Sequence, residues 1–162
     1  MSEITDDLEA TAFHEAGHAV AARLAGHRVT SIQVTRGHQE LGATGIEHWT
    51  VVSLMAGFAA ETRYRGVPNP KGARRDFEAA IKMIVEEHLG DGSAPTTDAV
   101  QLRIAEAIVQ AEALLDLHWA AVDALAHTTL GAPMRRLFEE EIEDVLGAHI
   151  PGLPPPSGDD TS

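Results

Sequence analysis

The chain is 162 residues long, carries 12 Lys and Arg against 25 Asp and Glu for a formal charge of −13, and has no cysteine. The length suits one domain with a single core. The charge argues against a nucleic-acid partner, which needs clustered Lys and Arg, and the missing cysteine excludes disulfides, thiolate metal ligands and cysteine catalysis.

The first predicted element is a helix over about Asp6–Ala25, with Thr5 as its cap, Asp6, Asp7 and Glu9 in its first turn and Gly26 at its end. It contains Phe13-His14-Glu15-Ala16-Gly17-His18-Ala19-Val20. At 3.6 residues per turn, His14 and His18 share one face. Two imidazoles so placed can bind one Zn²⁺, and a glutamate following the first can handle a proton on metal-bound water. The flanking residues are apolar, as suits a buried helix whose polar groups need partners. In a chain with 9 histidines the five-residue pattern also arises by chance, and an amphipathic helix with two unmetalated histidines is the competing interpretation. Gly17, inside the helix, costs about 1 kcal/mol relative to alanine, which makes sense if another backbone or the metal site packs against it.

Alternation over Val29–Arg36 predicts a strand, Gly37–Gly45 a turn, and Gly45-Ile46-Glu47 the start of a return strand. This is the only convincing β material. Beside a metal helix such a strand could offer an edge to an extended peptide, or the hairpin could simply cover the core. Trp49–Arg65 predicts an apolar, central helix closed by Gly66 and Pro68. Its one acid on that apolar run, Glu61, needs a partner: Arg63 or Arg65, or a histidine of the first helix.

A third helix is predicted over about Arg74–Leu89, ended by Gly90, with Asp76 in its first turn, a favourable place for any carboxylate. Asp98–Leu130 reads as one long scaffold helix or two with a break near His118, with Trp119 in the core and His118 on the surface. A last helix covers about Met134–Leu146. Residues 150–162, with four prolines, read as a disordered tail after a single domain over 1–149. No phosphate-binding Gly-rich loop is present.

Taken in order, these blocks resemble the peptidase domain of the FtsH family of ATP-dependent zinc metalloproteases. Ala12–Val20 is close to that family's H-E-A-G-H-A signature, and Val29–Gly37 looks like its strand ending in Arg-Gly. Leu54-Met55-Ala56-Gly57-Phe58-Ala59-Ala60-Glu61 resembles its Gly-x-Ala-Ala-Glu helix, and Gly72-Ala73-Arg74-Arg75-Asp76 the stretch that supplies the third zinc ligand. Residues 114–126 and 140–146 look like its C-terminal helices.

The resemblance implies a mainly α, zincin-like helical metallopeptidase domain with one small β-hairpin or strand pair. It implies Zn²⁺ held by His14, His18 and Asp76, with a fourth position for water and Glu15 as general base and then acid. Glu61 and Glu78 are the competing third ligands should the registration be wrong. The implied substrate is a peptide or unfolded protein. No AAA+ module and no membrane anchor precede the match, so a separate ATPase is a candidate partner. Two connections look shorter than in the family, those before the second helix and between the third and fourth. No stretch of about eighteen apolar residues is present and the N-terminus begins acidic, so the expectation is a soluble, cytoplasmic protein. The alternative function is a non-catalytic metal-binding homologue that acts as a binding or regulatory partner.

Overall fold

The computed structural model of the chain describes residues 2–35 and 42–158, with side chains from Asp7 onward. Helix α1 (Ser2–Leu24) is followed by β1 (Val29–Val34), β2 (Gly42–Ile46) and α2 (Val51–Arg65). Next come α3 (Arg74–Gly90), α4 (Thr97–Leu117), α5 (Trp119–Gly131), β3 (Arg136–Phe138) and α6 (Glu139–His149). The fold is thus mainly helical, with a small antiparallel sheet in the order β2-β1-β3.

Helix α1 is the hub. It packs on α2, α5 and the sheet, and every residue from Phe13 to Ala22 is buried. It shows no solvated polar face because neighbours cover it on most sides, the arrangement of a central rather than a surface helix, and its His14, Glu15 and His18 turn toward a cleft. Gly17 explains the close approach of α2: an added Cβ would lie 2.5 Å from the Ala56 carbonyl oxygen and 2.6 Å from the Ala60 Cβ. The helix begins at Ser2, upstream of the expected Thr5 cap.

Helix α2 starts at Val51 rather than Trp49, held by a reciprocal cap in which Ser53 N donates to Thr50 Oγ1 (3.0 Å) and Thr50 N to Ser53 Oγ (2.8 Å). Gly66 ends it in the left-handed conformation (φ 79°), donating to the Thr62 carbonyl. Helix α3 runs through Gly90 to a cap at Asp91. The long C-terminal helical run breaks at His118, which is half-buried, as α4 gives way to α5. Trp119 is half-buried, stacked 5.4 Å from Phe13 and covered by the Arg63 guanidinium.

In the sheet, β1 pairs with β2 through a bulge between Val29 and Ser31, which lets Val29 stay buried together with Ile32 and Val34. The expected turn lies partly outside the described residues, and β2 begins at Gly42, earlier than the return strand predicted from Gly45. One further expectation is corrected. The final helix starts at Glu139, not Met134, because Met134 (φ 55°) and Arg135 (φ 48°) are left-handed and no helix can pass through them. The chain instead forms β3, whose Leu137 pairs with Ile32 and is buried. The segment after His149 packs back on the body: Ile150 is buried, Arg23 donates to the Pro154 carbonyl, and Ser157 N donates to the Gly26 carbonyl at 2.8 Å. Among the described residues no helix is long and apolar enough to cross a membrane.

Candidate metal centre

The α1 histidines face α2 and the start of α3. His18 Nδ1 lies 2.7 Å from the Ser53 carbonyl oxygen and His14 Nδ1 lies 2.9 Å from Glu61 Oε2. A carbonyl and a carboxylate only accept, so both Nδ1 atoms carry the proton and donate. In the neutral rings each Nε2 then presents a lone pair. Both aim at one atom, Asp76 Oδ2, at 2.8 Å from His14 and 3.2 Å from His18.

Three electron-rich atoms facing one another require a cation between them, either protons or a metal ion. The spacing admits either: the Nε2–Oδ2 distances are those of hydrogen bonds, and a small expansion of the set accommodates a metal ion. Bonds of about 2.0–2.1 Å in a tetrahedral set put ligand atoms about 3.3 Å apart, and the three donor atoms here lie within 4.8 Å of one another. All three side chains are well enclosed, His14 and His18 buried and Asp76 half-buried. Room for the site comes from Gly57 on α2, where an added Cβ would lie 2.4 Å from Cε1 and Nε2 of His18.

The supporting contacts are as specific as the donors. The Glu61 carboxylate, besides accepting from His14, takes hydrogen bonds from Arg65 Nε (2.8 Å) and Asn69 Nδ2 (2.9 Å). Both partners proposed for it from sequence, an arginine and a histidine, are therefore real at once. Burial alone would push the His14 imidazole down, but its bonds to Asp76 and Glu61 and the nearby Glu15 charge raise it to about 10 in the metal-free protein. Burial would likewise push Asp76 up, and its two histidine bonds overcome this and hold it well below the usual carboxylate range.

Glu15 is buried on α1 beside the pair, and it is not among the converging donors. Its Oε2 accepts from the Thr44 hydroxyl, which also bonds the Glu15 backbone carbonyl at 3.2 Å. Gly42 presses on the same side chain: an added Cβ would lie 2.8 Å from Glu15 Oε1. Strand β2 thus orients Glu15 through one hydroxyl and one missing side chain. All of these residues line a cleft of about 540 Å³, which Trp49 also walls, its ring edge-on to His18 at 5.0 Å. That volume is in the ordinary range for a ligand site.

The competing third ligands are placed elsewhere: Glu61 sits behind His14, and Glu78 pairs with Arg74 in an exposed i,i+4 contact. Sequence reasoning did not single out Thr44, Asn69 or the Ser53 carbonyl. Thr44 reads as turn, a backbone carbonyl has no sequence signature, and only the position of Asn69, just before Pro70 and Gly72, hints at a shaped loop. Compared with protein-family models and with curated proteins, the chain matches none of them.

Proposed function

We propose that the chain is a zinc-dependent metallopeptidase domain, in keeping with its resemblance to the FtsH peptidase. One observation carries this: two imidazole lone pairs and a carboxylate oxygen converge at the floor of an open cleft, with a non-ligating glutamate oriented beside them. Two nitrogens and one oxygen suit the borderline preference of Zn²⁺ and leave a coordination position open. A purely structural site closes its fourth position and has no use for a base.

His14, His18 and Asp76 would hold the ion, with Glu61 and the Ser53 carbonyl fixing the tautomers and directions of the two rings. The ion, when bound, supplies Lewis acidity toward a peptide carbonyl and makes a nearby water more acidic. Glu15 takes the proton from that water, and Thr44 on Oε2 leaves Oε1 for the transfer. The same carboxyl then delivers the proton to the departing amine. Strand β2 is one of the two edge strands of the sheet among the described residues, and Gly42, Ala43 and Thr44 line the cleft. A peptide laid along that edge in extended form passes over Glu15 and the histidine pair.

Casein or peptide hydrolysis by the zinc-loaded protein, compared with Glu15→Gln at equal metal content, tests the proposal. The expected loss is about 10²–10⁴-fold. Equal rates would remove Glu15 as the base, and no hydrolysis by either protein would favour a non-catalytic metal-binding role.

A further inference from the structure

The charge on the cleft walls is opposite to that of the rest of the molecule. The chain carries −13 overall, yet five of its 12 Lys and Arg fall within residues 63–75, the end of α2 and the loop into α3. Four of these, Arg65, Lys71, Arg74 and Arg75, line the cleft against three carboxylates, Glu15, Glu61 and Asp76. The cleft is therefore formally +1 before any ion adds to it, and the remaining chain is −14.

The three carboxylates are all engaged inward, on the Thr44 hydroxyl, on His14, Arg65 and Asn69, and on the two Nε2 atoms. Two of the cations, Lys71 and Arg74, are less committed. Arg65 is turned onto Glu61 and Asp7, whereas among the described residues Arg74 pairs with Glu78 alone, in a contact exposed by 79% and 61% that solvent weakens. Lys71 pairs with no acid among the described residues. With the carboxylates engaged inward, the cations at the mouth of a cleft with low-dielectric walls focus a positive field on an incoming ligand.

We propose that the cleft selects peptides bearing a carboxylate close to the bond to be cut, with Lys71, Arg74 and Arg75 setting that preference; this rests on the metallopeptidase proposal above. The carboxylate can come from an Asp or Glu side chain or from the free end of a peptide.

The test uses the full chain loaded with zinc and four quenched-fluorescence peptides of one sequence. Three are blocked at both ends and carry Glu, Gln or Lys beside the central bond; the fourth is the Gln peptide with a free C-terminus. At low salt the Glu peptide should be cleaved with a kcat/KM about tenfold above the Gln peptide and further above the Lys peptide, with the gap narrowing as salt rises. Lys71→Glu and Arg75→Glu should each shrink the gap while metal content stays at the wild-type level. A Gln peptide that matches the Glu peptide once its C-terminus is free assigns the carboxylate to the chain end, within the same proposal. Binding of the same peptides to zinc-loaded Glu15→Gln, followed by fluorescence anisotropy, gives a readout independent of turnover. Binding that favours Glu without any cleavage supports the charge selection and overturns the hydrolytic function. Cleavage without charge preference, a preference for Lys, or a Glu preference that survives both charge reversals overturns the selection. Absence of binding by all four peptides overturns it too.

Discussion

Gly57→Ala is a one-methyl change that should damage the metal site while sparing the fold. The new Cβ would lie 2.4 Å from Cε1 and Nε2 of His18 and 2.8 Å from His14 Nε2, against an ordinary contact of 3.4 Å or more. The α2 backbone has little room to retreat from α1, because α4 and α3 also pack against it, so the imidazoles must move by about 1 Å. A displacement of that size takes a nitrogen out of bonding range of an ion that needs about 2.0–2.1 Å. Overpacking of this kind costs about 1–3 kcal/mol. If the strain is relieved at the ligands, that is about a 5- to 150-fold loss of metal affinity. Stability of the metal-free protein should change less, since alanine recovers about 1 kcal/mol of helix propensity. Gly147→Ala on α6 is the control: nothing lies within 4 Å of its added Cβ, so it should keep metal affinity and gain a little stability. Chelator competition gives the affinity and denaturant unfolding gives the stability. Wild-type zinc affinity in Gly57→Ala would refute the placement of α2 against the histidines.

Glu61→Gln keeps the shape of the group behind His14 but removes its charge, and zinc affinity measured by competition should fall about 10–100-fold with the fold intact. An unchanged affinity would mean that Glu61 serves only Arg65 and Asn69. In the metal-free protein His14 is raised to about 10, so its protonated form stabilises the fold fully below the ordinary value near 6.5. That contribution is lost as pH rises toward 10, and thermal unfolding across this window should show the decline. Zinc must displace the same proton, so calorimetry in buffers of different ionisation enthalpy should register its release. Arg23→Ala removes the buried guanidinium that bonds Glu143 at 2.6 Å and the Pro154 carbonyl. It should destabilise by somewhat less than the about 3–5 kcal/mol of a fully buried pair, because Glu143 is 30% exposed, and a denaturant midpoint equal to wild type would contradict the role of this clasp.

The parts of this site legible in the sequence are those carried by local periodicity. Spacing alone put His14 and His18 on one helix face, and the glycine at 17 announced a close neighbour that proved to be the Ala56 backbone. Asp76 could not be read locally, since a first-turn aspartate is common and its 62-residue separation from His14 leaves no periodic trace; only the family resemblance singled it out. Glu61 was detectable as a charge on an apolar helix, but its direction depends on how α2 packs. Strand β3 was missed because three residues are too few to show alternation and Pro133 with two left-handed residues does not resemble a strand entry. The proline-rich end read as disordered from composition, which carries no trace of the contacts that Arg23 and Gly26, far away in sequence, make with Pro154 and Ser157.

The most direct measurement is zinc binding by calorimetry to the metal-free wild type, Glu15→Gln, His18→Ala and Asp76→Ala. Wild type and Glu15→Gln should each bind a single ion with similar affinity, while His18→Ala and Asp76→Ala should lose that binding. Wild-type affinity retained in Asp76→Ala, or weaker binding in Glu15→Gln comparable to that of the ligand variants, would contradict the assignment of His14, His18 and Asp76 as the ligands with Glu15 held beside them.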